Sequence, residues 1–283
     1  MRYIDKKKQA VKLLAEAGVP DADIDAEYLL EEAAGMNRSR LFTELFSEVP
    51  PAVEERLDSF IERRRQHEPL QYIVGYQDFM GYRFKCNPDV LIPRQDTEIL
   101  VENALLRLKQ MSSKKNGRLR YLDLCTGSGC IPISLVKLTD GIDCLATDIS
   151  EKALAVAEEN AKANEAAVTF LKSDLWENIE GRFDLITSNP PYIETEVISG
   201  LMPEVSDYEP GLALDGGADG LVFYREIIGK ATEHMECDGW LLMEIGDTQG
   251  EAVSGLMKAA GLTDVRVIKD LAGLDRVVEG RRV

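Results

Sequence analysis

Apolar positions in the first part of the chain recur at helical spacing. Val53, Leu57, Phe60 and Ile61 lie on one helix face, and Pro51 sits where a first helical residue would be. Ile24, Tyr28, Leu29 and Ala33 repeat the spacing, with Asp21 or Asp23 as N-cap and Gly35 as the stop. Val11, Leu14 and Ala17 form a third set that ends at Gly18. A small helical domain is therefore expected over residues 1–70. Residues 71–95 change character. Phe79, Met80, Tyr82, Phe84 and Cys86 favour strands, broken by Gly75 and Gly81, and predict a β-hairpin linker.

From residue 96 to 283 the period alternates. Asp96 or Thr97 caps a helix with Val101, Ala104, Leu105 and Leu108 inward, and Ser112–Gly117 is a polar break. Strands are expected at Tyr121–Leu124, Cys144–Thr147, Val168–Leu171, Phe183–Thr187, Trp240–Glu244 and Val265–Ile268, with a further one at Arg276–Glu279 on the sheet edge. Helices fall between them, one of them capped by Ser150. Such alternation predicts an α/β domain with a parallel, doubly wound, Rossmann-like sheet.

Composition narrows the class. The chain has 283 residues, 45% of them hydrophobic, enough to bury cores for two domains. No apolar run approaches the roughly 18 residues of a membrane span, and the charged start is unlike a signal region, so a soluble cytoplasmic protein is expected. Five scattered cysteines without Cys-x-x-Cys, and only His67 and His234, give no metal signature. A net charge of −17 argues against extended contact with nucleic acid and favours a protein or small-molecule partner. Arg63-Arg64-Arg65 is the one candidate basic patch, or else a solvated helix end.

The chemistry concentrates in two segments. Asn189-Pro190-Pro191-Tyr192 follows an apolar strand. Asn offers a carbonyl acceptor, and each proline lacks an N–H and has a fixed φ. The turn thus displays acceptors beside a flat tyrosine wall, which suits a planar group bearing –NH2 whose nitrogen is to be alkylated. Asp123-Leu-Cys125-Thr126-Gly127-Ser128-Gly129 ends a strand and opens a helix, and its glycines admit close backbone approach. A dinucleotide fingerprint would need a third glycine where Pro132 stands. Adenosylmethionine carries no phosphate and needs acids instead. Asp123, Asp148 and Asp174 end three successive strands on the edge where ligands bind in this architecture.

Over nearly its whole length the chain resembles the bacterial release-factor glutamine N5-methyltransferases. The resemblance lies in Leu91-Ile-Pro-Arg-Gln-Asp-Thr-Glu98, the 123–129 loop, Ser188–Ile193, Glu209-Pro-Gly-Leu-Ala-Leu-Asp-Gly-Gly-Ala-Asp-Gly-Leu221 and Glu244-Ile-Gly246. It implies a class I methyltransferase domain that moves a methyl group from S-adenosyl-L-methionine to the glutamine amide of the Gly-Gly-Gln loop in class 1 peptide chain release factors. It implies cofactor contacts at Asp123, Cys125, Thr126, Gly127, Ser128, Gly129, Asp148 (ribose), Asp174 and Leu175 (adenine) and Asn189. The substrate glutamine would be held by Asn189, Pro190, Pro191 and Tyr192, with Asn189, Pro190 and Tyr192 serving catalysis. Two positions depart from the family: Gln95 replaces a usual proline and Cys125 the first loop glycine. The Asn-Pro-Pro-Tyr turn alone is shared with adenine and guanine amino methylases, the rival reading.

Overall fold

The computed structural model describes residues 1–113, 115 and 117–283; Lys114 and Asn116, within the expected polar break, lie outside the described residues. The chain forms two compact units, Met1–Tyr76 with Met202–Tyr208, and Gln77–Leu201 with Glu209–Val283.

The helices α1 (Tyr3–Glu16), α2 (Ala22–Ala34), α3 (Arg38–Glu44), α4 (Pro51–Arg65) and α5 (Leu70–Val74) build the first unit. Pro51 opens α4 and Gly35 closes α2 in the left-handed region, φ 62°. Leu14, Leu29, Leu30, Leu57 and Ile61 meet in the core. The expected face of α2 is rotated: Ala26, Leu29, Leu30 and Ala33 are buried, whereas Ile24 is 66% exposed. The Arg63–Arg65 triplet is neither a patch nor a solvated end. Arg64 is 5% exposed, with Nε 2.7 Å from Asp25 and Nη2 2.7 Å from Glu204, while Arg63 pairs with Glu68 and Arg65 with Glu62.

The hairpin of β1 (Tyr76–Phe79) and β2 (Tyr82–Lys85) turns through Met80 and Gly81, both at positive φ (51° and 80°), as a two-residue type I′ turn requires. Phe79 and Phe84 meet edge to face at 6.0 Å and join the core of the second unit.

The chain continues through α6 (Thr97–Ser112), β3 (Leu119–Leu124), α7 (Cys130–Leu138), β4 (Ile142–Asp148), α8 (Glu151–Ala163), β5 (Val168–Lys172) and β6 (Phe183–Ser188). Three short helices follow, α9 (Thr195–Ile198), α10 (Pro203–Ser206) and α11 (Gly211–Leu214). Then come α12 (Val222–His234), β7 (Met235–Glu244), α13 (Gly250–Ala259), β8 (Thr263–Lys269) and β9 (Asp275–Arg281). Ser150 caps α8, its hydroxyl accepting from Ala153 N. The strand order is β5-β4-β3-β6-β7-β9-β8. β3 to β7 are parallel, so each expected strand among them takes its place. Two details differ from the sequence reading. The sheet is mixed, because β9 runs antiparallel to both β7 and β8. The last strand is also not the edge: β9 inserts between β7 and β8, where Val277 and Val278 are fully buried, and β8 lies outside. Helices α6 and α7 pack on one face of the sheet, α12 and α13 on the other.

The strand order reverses between the parallel neighbours β3 and β6, from which successive strands are laid down outward in both directions. Ligands bind at such a switch point, beyond the carboxyl ends of the strands. The loops after β3 and β6 are the two segments singled out from the sequence.

Candidate functional site

A cavity of about 280 Å³ opens at this switch point. It is lined by Cys125, Thr126, Gly127 and Ser128 after β3, Thr147 to Ser150 at the end of β4, and Ser173 to Leu175 after β5. Asn189 and Pro191 come from the turn after β6. Val90, Leu91, Pro93, Arg94 and Thr97, together with Pro210, Leu212, Ala213 and Phe223, also line it. The lining is mostly apolar with a few polar groups, the usual composition of a small-molecule site.

The loop after β3 is held from several directions. Thr126 N donates to Thr147 O at 2.9 Å and Gly129 N to Thr126 O at 2.9 Å. Asn160 ties the loop to the hairpin: its Nδ2 donates to Ser128 O at 2.9 Å and its Oδ1 accepts from Lys85 N at 2.7 Å. Asp148 is half-buried. Its Oδ2 accepts from Gly127 N at 2.8 Å and its Oδ1 from Ser150 N at 2.9 Å. Burial raises its pKa against these backbone donors. Asp174 is exposed at the cavity and Leu175 is held at φ 46°.

Not every residue drawn from the sequence reaches the cavity wall. Asp123, Gly129, Pro190 and Tyr192 lie outside its lining. Asp123 is fully buried in β3 beneath the loop; Oδ1 accepts from Thr187 Oγ1 at 2.5 Å, and Oδ2 has no partner. Burial pushes its pKa up to about 7, against the hydrogen bonds from Thr187 and Tyr121. Gly129 serves packing as well: a Cβ there would meet Ile133 Cδ1 at 3.0 Å and Ala157 Cβ at 3.1 Å. Gly127, by contrast, has open space on its Cβ side.

The acceptor turn is braced from behind. Gln249 Nε2 donates to Tyr192 O at 3.0 Å and Gly220 O at 3.2 Å, while its Oε1 accepts from Gly246 N at 2.9 Å. A Cβ on Gly220 would strike Tyr192 O at 2.4 Å, so this glycine is required for the close approach. Ser188 Oγ donates to Leu124 O at 2.9 Å, locking the ends of β3 and β6 together. Asn189 Nδ2 donates to Thr97 Oγ1 at 3.4 Å. Arg94, on the cavity side, pairs with the buried Glu209. Sequence spacing could not nominate Gln249, Thr97 or Arg94 individually, because their partners come from distant elements. The segments 91–98, 209–221 and 244–246 carried the only signal.

Residues 7–75 match the PrmC N-terminal domain family and residues 99–202 the methyltransferase small domain family. The release factor glutamine methyltransferase of Geobacter sulfurreducens is 42% identical over 269 residues, covering 95% of this chain and 92% of that protein. The enzyme of the same name from Cereibacter sphaeroides is 42% identical over 283 residues and covers 99% of each. The hMettl16 catalytic domain, solved in complex with the MAT2A 3′UTR hairpin 6, superposes with a TM-score of 0.57 at 15% identity, over 71% of this chain and 76% of that one, and shares the fold. Among the described residues no helix is long and apolar enough to cross a membrane, and no His, Cys, Asp or Glu cluster is arranged to hold a metal ion. With this identity sustained from end to end, the chain belongs to the release factor glutamine methyltransferase family.

Proposed function

We infer that this chain transfers the methyl group of S-adenosyl-L-methionine to the side-chain amide nitrogen, N5, of the glutamine in the Gly-Gly-Gln loop of class 1 release factors, in the cytoplasm. The observation that carries the reading is the convergence of Asn189 and the 125–128 loop on one cavity, in a chain of this family. The residues present fit the methyl donor. Asp148 and Asp174 offer carboxylates for hydroxyl and amino groups, Ile149 and Leu175 offer an apolar slot, and Thr126 Oγ1 is buried without a partner. We assign Thr126 to Ser128 to the amino-acid part, Asp148 to the ribose and Asp174-Leu175 to the adenine edge. Asp123 and Gly129 support the loop from beneath. Bound there, the donor supplies an electrophilic sulfonium methyl group.

The chain's own task is to present a poor nucleophile. An amide nitrogen delocalises its lone pair into the carbonyl. Asn189 Oδ1 and the Pro190 carbonyl each accept one N–H of the substrate amide, so the nitrogen faces the methyl carbon. Tyr192 forms a wall, and its phenol stays protonated because burial and the Glu244 charge raise its pKa. Orientation of this kind supplies up to about 7–11 kcal/mol in favourable cases. No base is required, since the alkylated amide loses its extra proton readily to solvent. The helical unit recognises the intact protein substrate, and the acidic surface disfavours nucleic acid. Incubation with labelled S-adenosyl-L-methionine and a release factor, then peptide mapping, tests the reading. Label on the Gly-Gly-Gln glutamine is expected; label only on nucleic acid, or none, would overturn it.

A further inference from the structure

Pro190 and Pro191 make the acceptor turn stiff in φ but leave it without two backbone donors. Where the Pro190 carbonyl points is decided by the remaining soft angles, and these are fixed only if both ends of the turn are held. The upstream end belongs to the sheet. Ser188 lies opposite Leu124 on β3 and Met243 on β7, and its Oγ donates to Leu124 O at 2.9 Å. The downstream end is held by Gln249, the N-cap residue of α13, whose Nε2 donates to Tyr192 O at 3.0 Å. Ile193 then joins the following segment, its N donating to Leu214 O at 3.0 Å and its O accepting from Gly216 N at 2.8 Å.

The Gln249 carboxamide is fully engaged. Its Nε2 also donates to Gly220 O at 3.2 Å, and its Oε1 accepts from Gly246 N at 2.9 Å and from the Tyr224 hydroxyl at 3.3 Å. Its direction is unambiguous, because the two carbonyls only accept and the Gly246 N–H only donates. One side chain thereby ties together three loops, those after β6, after α11 and after β7. Space is kept for it on two sides. A Cβ on Gly246 would meet Gln249 Oε1 at 3.1 Å, one on Gly220 would meet Nε2 at 2.7 Å, and one on Gly216 would meet Tyr192 Cα at 2.7 Å. The glycine that ends the Glu244-Ile-Gly246 segment thus serves this contact.

Gln249 lies outside the cavity lining, so its influence on the cavity runs through the turn. We propose that Gln249 is a positioning residue that fixes the Tyr192 end of the acceptor turn, and through it the Pro190 carbonyl that receives the substrate –NH2. The proposal rests on the methyltransfer reading above. Misplacing an orienting group by about 1 Å costs on the order of 10²-fold in rate, so a turn released at one end should still bind its ligands and yet transfer slowly.

Two variants test this. Gln249→Met keeps roughly the size of the side chain and removes the amide. Gln249→Glu keeps an acceptor for Gly246 N but sets a carboxylate oxygen, instead of a donor, against two carbonyls. Both should lose kcat roughly 10–100-fold at pH 8. The affinities for S-adenosyl-L-methionine and for the release factor, read by calorimetry, should stay within about two-fold. Acidification gives Gln249→Glu an O–H for one carbonyl. Its kcat relative to wild type should therefore rise roughly ten-fold between about pH 8 and pH 6, since facing carbonyls raise a carboxyl's pKa, while the Gln249→Met ratio stays flat. The titratable and charged groups that face position 249 from the surrounding elements are Tyr192 on the turn, Asp219 beside Gly220, Tyr224 on α12, Glu244 at the end of β7, and Asp275 and Arg276 on β9. Wild type carries all of them, so the ratio isolates position 249. If Gln249→Met does not fold, the pH comparison within Gln249→Glu decides. Wild-type kcat in Gln249→Met, a flat Gln249→Glu ratio, or a kcat loss matched by an equal loss of S-adenosyl-L-methionine sites per chain would overturn the proposal. If the wild type methylates no release factor, the functional reading falls, and backbone amide NMR decides this one. The Tyr192 and Ile193 signals should then shift in Gln249→Met while those of Gly127 and Ser150 stay fixed; unmoved Tyr192 and Ile193 signals would overturn it.

Discussion

The two units differ in how they meet part of their buried charge. In the helical unit each buried charge is met by opposite charges. Arg64 lies between Asp25 and Glu204, and Lys6, 4% exposed, between Glu54 at 2.8 Å and Asp58 at 2.9 Å. Burial pulls Lys6 down, yet Glu54 and Asp58 together hold its pKa above the ordinary value. In the second unit Glu209, Glu279 and Asp184 are paired as well, with Arg94, Arg107 and Lys115, but Asp123 is met by the Thr187 hydroxyl, and Asp123 and Glu244 each keep one oxygen without a partner. Non-glycine residues at positive φ occur in both units, His67 (63°) among them in the helical one. Cys125 and Leu175, both at the cavity, hold positive φ of 59° and 46°. Paired charge fixes how the helices pack, while an unmet carboxylate oxygen or a left-handed residue persists only where the surrounding structure enforces it.

Breaking a pair in the helical unit should have the largest effect. Arg64→Ala leaves Asp25 buried and uncompensated, and should cost that unit about 3–5 kcal/mol. Hydrogen exchange at the α2 and α4 amides measures it. Arg64→Met with Asp25→Leu should regain most of the loss; if the double variant is as unstable as the single one, the charges are not what matters there. At the cavity the same kind of truncation should instead act on turnover. Asn189→Ala should lower kcat roughly 10²–10³-fold, as removal of one transition-state hydrogen-bond partner does, with cofactor affinity within a few-fold. Turnover equal to wild type would remove Asn189 from the mechanism.

The unpaired carboxylates also predict a pH dependence. Asp123 has a folded pKa of about 7 against an ordinary value of 3.8. Between those values the folded chain keeps a proton that the unfolded chain has lost, so this contribution to stability falls as pH rises through the window and levels off above it. Asp123→Asn should remove that slope. The variant should be more stable than wild type at pH 8 by roughly 2–4 kcal/mol, and the gap should shrink toward pH 4. Urea unfolding followed through Trp176 and Trp240, both in the second unit, reads the difference. A gap that does not vary with pH would show that Asp123 is ionised throughout.

The division also explains what the sequence could and could not disclose. Strands β3 to β7 were legible because each carries a short apolar run between turn signals, and their alternation with helices dictates parallel pairing. The position of β9 was not, because insertion between β7 and β8 is a pairing choice that period cannot express. The exposed Ile24 shows the same limit: helical spacing finds a stripe, but packing decides its rotation by one residue. Local motifs such as 125–129 and 189–192 reveal themselves by turn chemistry. Arg64 with Glu204, or Asn189 with Thr97 across 92 positions, unite residues that look ordinary alone.

The smallest effect concerns Cys125, at the start of the loop after β3. At φ 59° a side chain sits in the left-handed region, at a cost on the order of 1–3 kcal/mol. Glycine would relieve this but loses more entropy on folding, which takes back about 0.4–1 kcal/mol, and the half-buried thiol gives up some packing. Cys125→Gly should therefore stabilise the protein by less than about 1 kcal/mol, a rise in Tm of about 1–3 °C. Cofactor affinity should move only a few-fold, because the loop's backbone anchors, Thr126 N to Thr147 O and Gly127 N to Asp148, do not involve the thiol. Differential scanning calorimetry checks the sign. A lower Tm would mean that the thiol's contacts outweigh the strain, and that the cysteine is a packing residue like those of the helical unit.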